Sequence, residues 1–258
     1  MTQHREVGII KSLVLGAAFA AALALPAFAQ DNPGDLSLAP VAESKKLTFS
    51  GTAVITTDYI FRGVSNSDEN PAAQVSFDAA YGMFYAGIWG SNTDFGDGIE
   101  LDYYAGFKPT FGNFSIDIGG LYYTFPGFNS IDYFELKTGL GWASGNWSLG
   151  VVNYWSPDNF GLGVDSNATE GGVGYSFNGK LFNFFSPSVS ALIGYQAYEA
   201  VVPDYTYWNA GLTLGFMEIW SADIRYWDTN YSDADCVINS GGVSNCDARV
   251  VGTVKASF

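Results

Sequence analysis

Segment after segment of this chain alternates apolar and polar residues with a period of two, a rhythm that admits few folds. In the first segment Leu47, Phe49, Gly51, Ala53, Ile55, Tyr59 and Phe61 share one parity, while Thr48, Ser50, Thr52, Thr56, Asp58 and Arg62 share the other. A strand with one apolar and one polar face reads this way. The pattern recurs where Ile99, Leu101, Tyr103, Ala105 and Phe107 oppose Glu100, Asp102, Tyr104 and Lys108, and where Phe114, Ile116 and Ile118 oppose Ser115 and Asp117. It returns over 133–142, 207–216 and 220–226, and weaker copies lie near 73–81, 84–91, 147–154, 169–177, 188–198 and 247–258. The sum is about twelve strands of roughly ten residues, an even number as a bacterial membrane barrel requires.

The amino terminus has a different texture. A basic stretch with Arg5 and Lys11 leads into an uncharged apolar run from Ser12 to Leu25 and then to Ala27-Phe28-Ala29. This is the layout of a secretory signal peptide with an A-x-A cleavage site, so residues 1–29 are expected to be removed. Residues 30–46, with Pro33, Gly34, Pro40 and mixed charges but no apolar period, read as a flexible periplasmic leader, and the barrel is expected over 47–258. Beyond the signal no uncharged apolar run reaches the roughly 20 residues of a membrane-spanning helix. If the exported chain enters a bilayer it must do so as a closed barrel, which pairs every backbone amide internally.

The connections give an independent check. Gly82-Met83, Phe111-Gly112-Asn113, Ser144-Gly145-Asn146 and Met217-Glu218-Ile219 are tight, whereas 63–72, 92–98, 126–131, 156–168 and 230–246 are longer and polar. Short and long connections alternate, which puts tight turns in the periplasm and long loops outside. The segment 178–187 fits poorly, being long where a short turn is expected. The chain ends on Phe258 in register with Ala256, Val254, Gly252 and Val250, and such a terminal aromatic strand is similar to the signal read by the bacterial barrel-assembly machinery. The rival is a secreted lipocalin-like barrel or sandwich with its apolar parity facing a core. Strand number and aromatic-rich strand ends, which suit the interfacial girdles of a membrane barrel, count against it.

The stretch Thr57-Asp58-Tyr59-Ile60-Phe61-Arg62-Gly63-Val64-Ser65, followed by Asn70-Pro71-Ala72, Phe77-Asp78, Phe84-Tyr85-Ala86-Gly87, Trp89-Gly90-Ser91-Asn92 and 100–106, resembles a bacterial family called Gcw-chp, also known as TorF-type porins. The match is specific to about residue 106 and looser afterwards. The resemblance implies an all-β outer-membrane barrel of uncertain physiological role, with no catalytic residues to carry over.

The residues themselves argue against an enzyme. The one histidine is His4, inside the signal, so an exported chain lacks the side chain that moves protons near neutral pH. Glu100 and Asp102 would point the same way on one strand as an acid–base pair, but acids lining a wet lumen explain them more simply. Cys236 and Cys246, the only cysteines, sit together in the loop before the last strand and read as a disulfide in an oxidising compartment. Asp233 and Asp235 beside them suit loop solvation better than calcium binding, and the sequence calls for no cofactor or metal.

A net charge of −15 makes nucleic acid an improbable partner. Expected partners are outer-membrane lipid and lipopolysaccharide, the assembly machinery through Phe258, and small polar solutes; oligomeric state is not legible. The lumen face is expected to carry Asp58, Asp78, Glu100, Asp102, Asp117, Glu135 and Asp223 against Arg62, Lys108, Lys137, Arg225, Arg249 and Lys255. Two arrangements follow: charges facing each other across a water-filled pore for passive diffusion of small hydrophilic solutes, or charges paired into a network that closes a structural or binding barrel.

Overall fold

A computed structural model describes residues 44–199 and 202–258. The expected signal peptide and most of the leader lie outside the described residues, and the leader's last three residues already belong to the first strand.

Twelve strands form the wall: β1 (Ser44–Thr56), β2 (Ala72–Gly82), β3 (Phe84–Asn92), β4 (Ile99–Phe107), β5 (Phe114–Thr124), β6 (Tyr133–Ser144), β7 (Trp147–Ser156), β8 (Ser166–Ser176), β9 (Ser186–Tyr198), β10 (Tyr205–Phe216), β11 (Trp220–Thr229) and β12 (Arg249–Ser257). Each pairs antiparallel with its sequence neighbours, and β12 pairs with β1 from Thr52↔Ser257 to Thr56↔Thr253, so the sheet closes on itself. At the seam Gly51 and Phe258 exchange backbone hydrogen bonds of 2.8 and 3.0 Å. A Cβ on Gly51 would stand 2.9 Å from the Phe258 ring, so the glycine makes room for the terminal aromatic.

The wall is inverted relative to a soluble protein. Its outer face exposes Phe49, Ile55, Phe77, Ile88, Leu140, Ile193, Ile224 and Val250, among others, while the inner face buries Glu100, Asp102, Asp117, Glu135, Glu170 and Arg225. Every barrel strand except β8 shows at least one large exposed apolar side chain. That disposes of the soluble alternative, because water would face the greasy side and a dry core the charged one. Ring pairs such as Phe84–Phe107 (5.5 Å) and Trp147–Tyr175 (4.7 Å) gather near the tight turns, where a bilayer interface would lie.

Short and long connections alternate as expected. The 178–187 anomaly resolves into a small ribbon at the short-turn end: Leu181 and Phe185 form a β-bridge across Phe182 and Asn183, both in left-handed conformation. In the last long loop, Asp233–Ser240 forms one short helix, α1. Ser232 caps it by accepting from Asp235 N, Asp233 and Asp235 occupy its first turn, and Gly241 closes it at φ 78°. The Asp235 carboxylate accepts from the Ser232 hydroxyl at 2.7 Å, a capping role.

The main departure is at β1. The alternation predicts one strand through Arg62 with Tyr59 and Phe61 on the lipid face. β1 instead stops at Thr56, and residues 58–67 turn into the lumen, burying Tyr59 and Ile60, while 68–71 stay exposed. The alternation cannot separate Tyr59 and Phe61 from the wall, because a hairpin inside the barrel has the same local period as one in the wall.

Candidate functional site

The inserted segment is a miniature hairpin. Ile60↔Ser65 and Phe61↔Val64 pair as a two-stranded ribbon, and its two turn residues, Arg62 (φ 49°) and Gly63 (φ 85°), are both left-handed, as a tight hairpin demands. Gly63 is required twice over: a Cβ there would lie 2.7 Å from both Tyr207 Cβ and Thr229 Cγ2. Arg62 pays some backbone strain for its place at the tip. At the base, Asp58 organises the ribbon, accepting from Ser65 Oγ at 2.7 Å and Ser67 Oγ at 2.9 Å through Oδ1, and from Arg249 Nη1 at 2.7 Å through Oδ2. Backbone bonds Asn66 N→Tyr59 O (2.7 Å) and Asp94 N→Asn66 O (2.8 Å) fix its far limb.

Arg62 then crosses the lumen. Its guanidinium donates from Nη1 to Glu135 Oε1 (2.8 Å) and from Nη2 to Glu135 Oε2 (2.7 Å), and Nη1 also reaches Gln196 Oε1 (3.1 Å). Its Cζ sits 4.8 Å from the Tyr154 ring centroid, and Tyr123 OH donates to the same Glu135 at 3.0 Å. One tip residue from the β1–β2 loop therefore grips β6, β7 and β9. The side chains of this pair are 5% and 1% exposed. Around it Tyr123, Val152, Ala168 and Tyr207 are fully buried, so the barrel's mid-section is filled.

The other expected lumen residues fall into two groups. Near the long-loop end lie the Asp58–Arg249 pair and, at the start of β4, Glu100 and Asp102, 2% and 0% exposed, with Glu100 Oε2 and both Asp102 oxygens lacking a hydrogen-bond partner. Towards the short turns Lys137 pairs with Asp117 at 3.3 Å and Arg225 with Asp223 at 3.1 Å. There Asp117 also accepts from Tyr85 OH (2.7 Å), Arg225 reaches Asn209 and Ser190, and Tyr104 OH donates to Asp78. Lys255 is half-buried on β12. Lys108 follows β4 in the wall, where its backbone N–H donates to the Met83 carbonyl, and lies beside Asp117 and Lys137.

Several residues that build the site were not singled out by sequence. Glu170 on β8 is buried and accepts from Tyr207 OH at 2.6 Å, and Gln196 and Tyr154 complete the Arg62 seat. Their inward parity was legible, their meeting point was not. Cys236 and Cys246 are joined, tying α1 to the 244–246 turn. That turn abuts the ribbon's second limb, and Arg249 donates to both Asp58 and the Ser244 carbonyl. Above the ribbon an outward-facing cavity of about 350 Å³ has Phe61, Arg62, Phe95, Phe160, Gln196 and Tyr205 in its wall. Among the described residues no group of three or more His, Cys, Asp or Glu is placed to hold a metal ion.

With this geometry in hand, comparison with known proteins is informative. A family model described as a bacterial protein of unknown function (Gcw_chp) matches residues 41–258. The chain belongs to the Gcw_chp family. The matched region takes in the whole described barrel and the inserted ribbon, so in this Gcw_chp protein part of the stretch that carries the resemblance, Thr57–Ser65, leaves the wall. Solved structures similar to it include the KdgM porin (TM-score 0.56, 10% identity, covering 81% of this chain and 99% of that one) and the NanC porin (TM-score 0.51, 11% identity, 82% and 99%). At these identities the likeness is one of fold: an outer-membrane porin barrel. No curated protein matches the chain.

Proposed function

We propose that this Gcw_chp protein is an outer-membrane channel for passive diffusion of small hydrophilic solutes, with the inserted ribbon as its movable closure. The observation that carries the reading is the division of labour in the barrel. Wall hydrogen bonding is complete from β1 round to β12 without residues 59–67, whereas the ribbon is an insert, held by polar contacts at its tip and base and by packing of Tyr59, Ile60 and Val64 against the inner wall. A polar inner wall around a detachable insert suits passage with no energy coupling, and no step of chemistry is needed. In this reading the chain is exported by its signal, assembled through the Phe258 strand, and oriented with long loops outside among lipopolysaccharide.

Planar-bilayer recording tests the proposal. Folded protein should show rare openings, and a chain trimmed between Asp58 and Pro71 to a short Gly-Ser turn should conduct steadily; Thr56 and Ala72 are already directly paired, so the trimmed ends meet. A silent trimmed barrel that remains folded by heat-modifiable migration would end the channel reading. The filled mid-section favours the second reading, a closed structural or binding barrel. That reading predicts silence in both proteins and loss of stability on trimming.

A further inference from the structure

We propose that Glu100, Asp102, Glu135 and Glu170 form a carboxylate girdle that makes the opened lumen select small cationic solutes over anionic ones. This rests on the channel reading above. The expected lumen charges nearly balance along the sequence, but the fold segregates them. The four acids project inward from β4, β6 and β8, each no more than 6% exposed. The wall's bases lie elsewhere: Lys137 pairs with Asp117, Arg225 with Asp223 and Arg249 with Asp58, Lys108 sits beside Asp117, and Lys255 stands opposite Ser221 towards the short turns. The cation seated on the girdle is Arg62, and Arg62 belongs to the ribbon, not to the wall.

Two consequences follow. First, the closed structure already shows what the girdle accepts: a guanidinium held by two hydrogen bonds to Glu135 and resting on the Tyr154 face. It is a tethered stand-in for a free cation, and Asp102, on the same inner face, is buried with neither carboxylate oxygen hydrogen-bonded. Second, withdrawing the ribbon removes that one positive charge and leaves four carboxylates facing water. The approach is acidic as well. Asp68, Asp94, Asp97, Asp132, Asp158 and Asp165 lie in connections at the long-loop end, where Arg249 is the one wall base.

By Coulomb's law in water, one carboxylate about 5 Å from an ion enriches a monovalent cation roughly fourfold and depletes an anion by as much. Four of them, damped by salt, should give a K⁺/Cl⁻ permeability ratio on the order of 10 or more.

The experiment is the reversal potential of the trimmed barrel under a KCl gradient, alone and with Glu100→Gln, Asp102→Asn, Glu135→Gln and Glu170→Gln combined. The expected result is strong cation preference in the first and a ratio near 1 in the second, with conductance retained. Steady conductance with no cation preference, or a preference that survives neutralisation, overturns the girdle while leaving the channel intact. A folded barrel with no conductance overturns the channel reading, and the girdle's role falls with it. Should the trimmed chain not fold, full-length Arg62→Gln, which keeps the loop and removes its latch, is measured in the same way with the same three outcomes.

Discussion

Replacing Arg62 by Gln tests whether the ribbon is latched or merely packed. The substitution removes one partner of a buried ion pair and strands Glu135 among Tyr123, Leu121 and Val152, all essentially inaccessible. Breaking such a pair from one side costs about 3–5 kcal/mol. The cation–π contact with Tyr154 lies inside that figure, since contacts in one network do not add. About 4 kcal/mol moves the ratio of seated to withdrawn ribbon by close to three orders of magnitude. The cost falls on the ribbon, because the wall's hydrogen bonds do not pass through Arg62. Hydrogen exchange read by mass spectrometry should therefore quicken by about that factor in peptides covering 59–67, with β5 to β10 unchanged. Adding Glu135→Gln should recover about 2 kcal/mol, since the second change removes the stranded carboxylate. Unaltered exchange in 59–67, or equal acceleration throughout the barrel, would refute the latch.

Two further predictions concern what surrounds the ribbon. A methyl at Gly194 would lie 2.2 Å from the Tyr207 ring, so Gly194→Ala should displace the ring, break its bond to Glu170 and lower thermal stability by about 1–3 kcal/mol; pairing it with Tyr207→Ala should cost less than the sum of the two single changes. Replacing both Cys236 and Cys246 by Ser opens a short loop whose closure is worth about 3 kcal/mol in the chain-entropy view; proteolysis at 230–248 should quicken while the folded barrel keeps its heat-modifiable migration.

The wall was legible because two independent regularities agree. Residues such as Ile99 to Lys108 alternate with period two, and the connections alternate between tight and long; one slip of register would turn Glu100 and Asp102 to lipid. Helix α1 had its signals too, in Ser232, the acids of its first turn and Gly241, but they fall inside a polar stretch of loop length. Depth and azimuth within the barrel were not legible. Parity says that Arg62, Glu135 and Gln196 face inward; only closure of the sheet says that residues 73 and 134 positions apart meet at one guanidinium.

The same limit hides the end of β1, which the alternation carries six residues past Thr56. Asp58, Tyr59, Phe61 and Arg62 continue the period of β1, with only Thr57 and Ile60 out of step, since a ribbon inside the barrel obeys the same pleat as a strand in its wall. What separates them is environment: once the chain turns inward after residue 57 there is no lipid side left, and both parities are buried, as Tyr59, Ile60 and Val64 show. The sequence does carry a trace of the turn in Gly63, with Asp58, Ser65 and Ser67 supplying short side chains to tie the base. An arginine spending backbone strain at such a tip is explained by what it grips. Packing alone would be served as well by an apolar residue, at lower desolvation cost. In the channel proposed above, a charged tip gives the ribbon one polar contact that a solute carrying the same charge would replace.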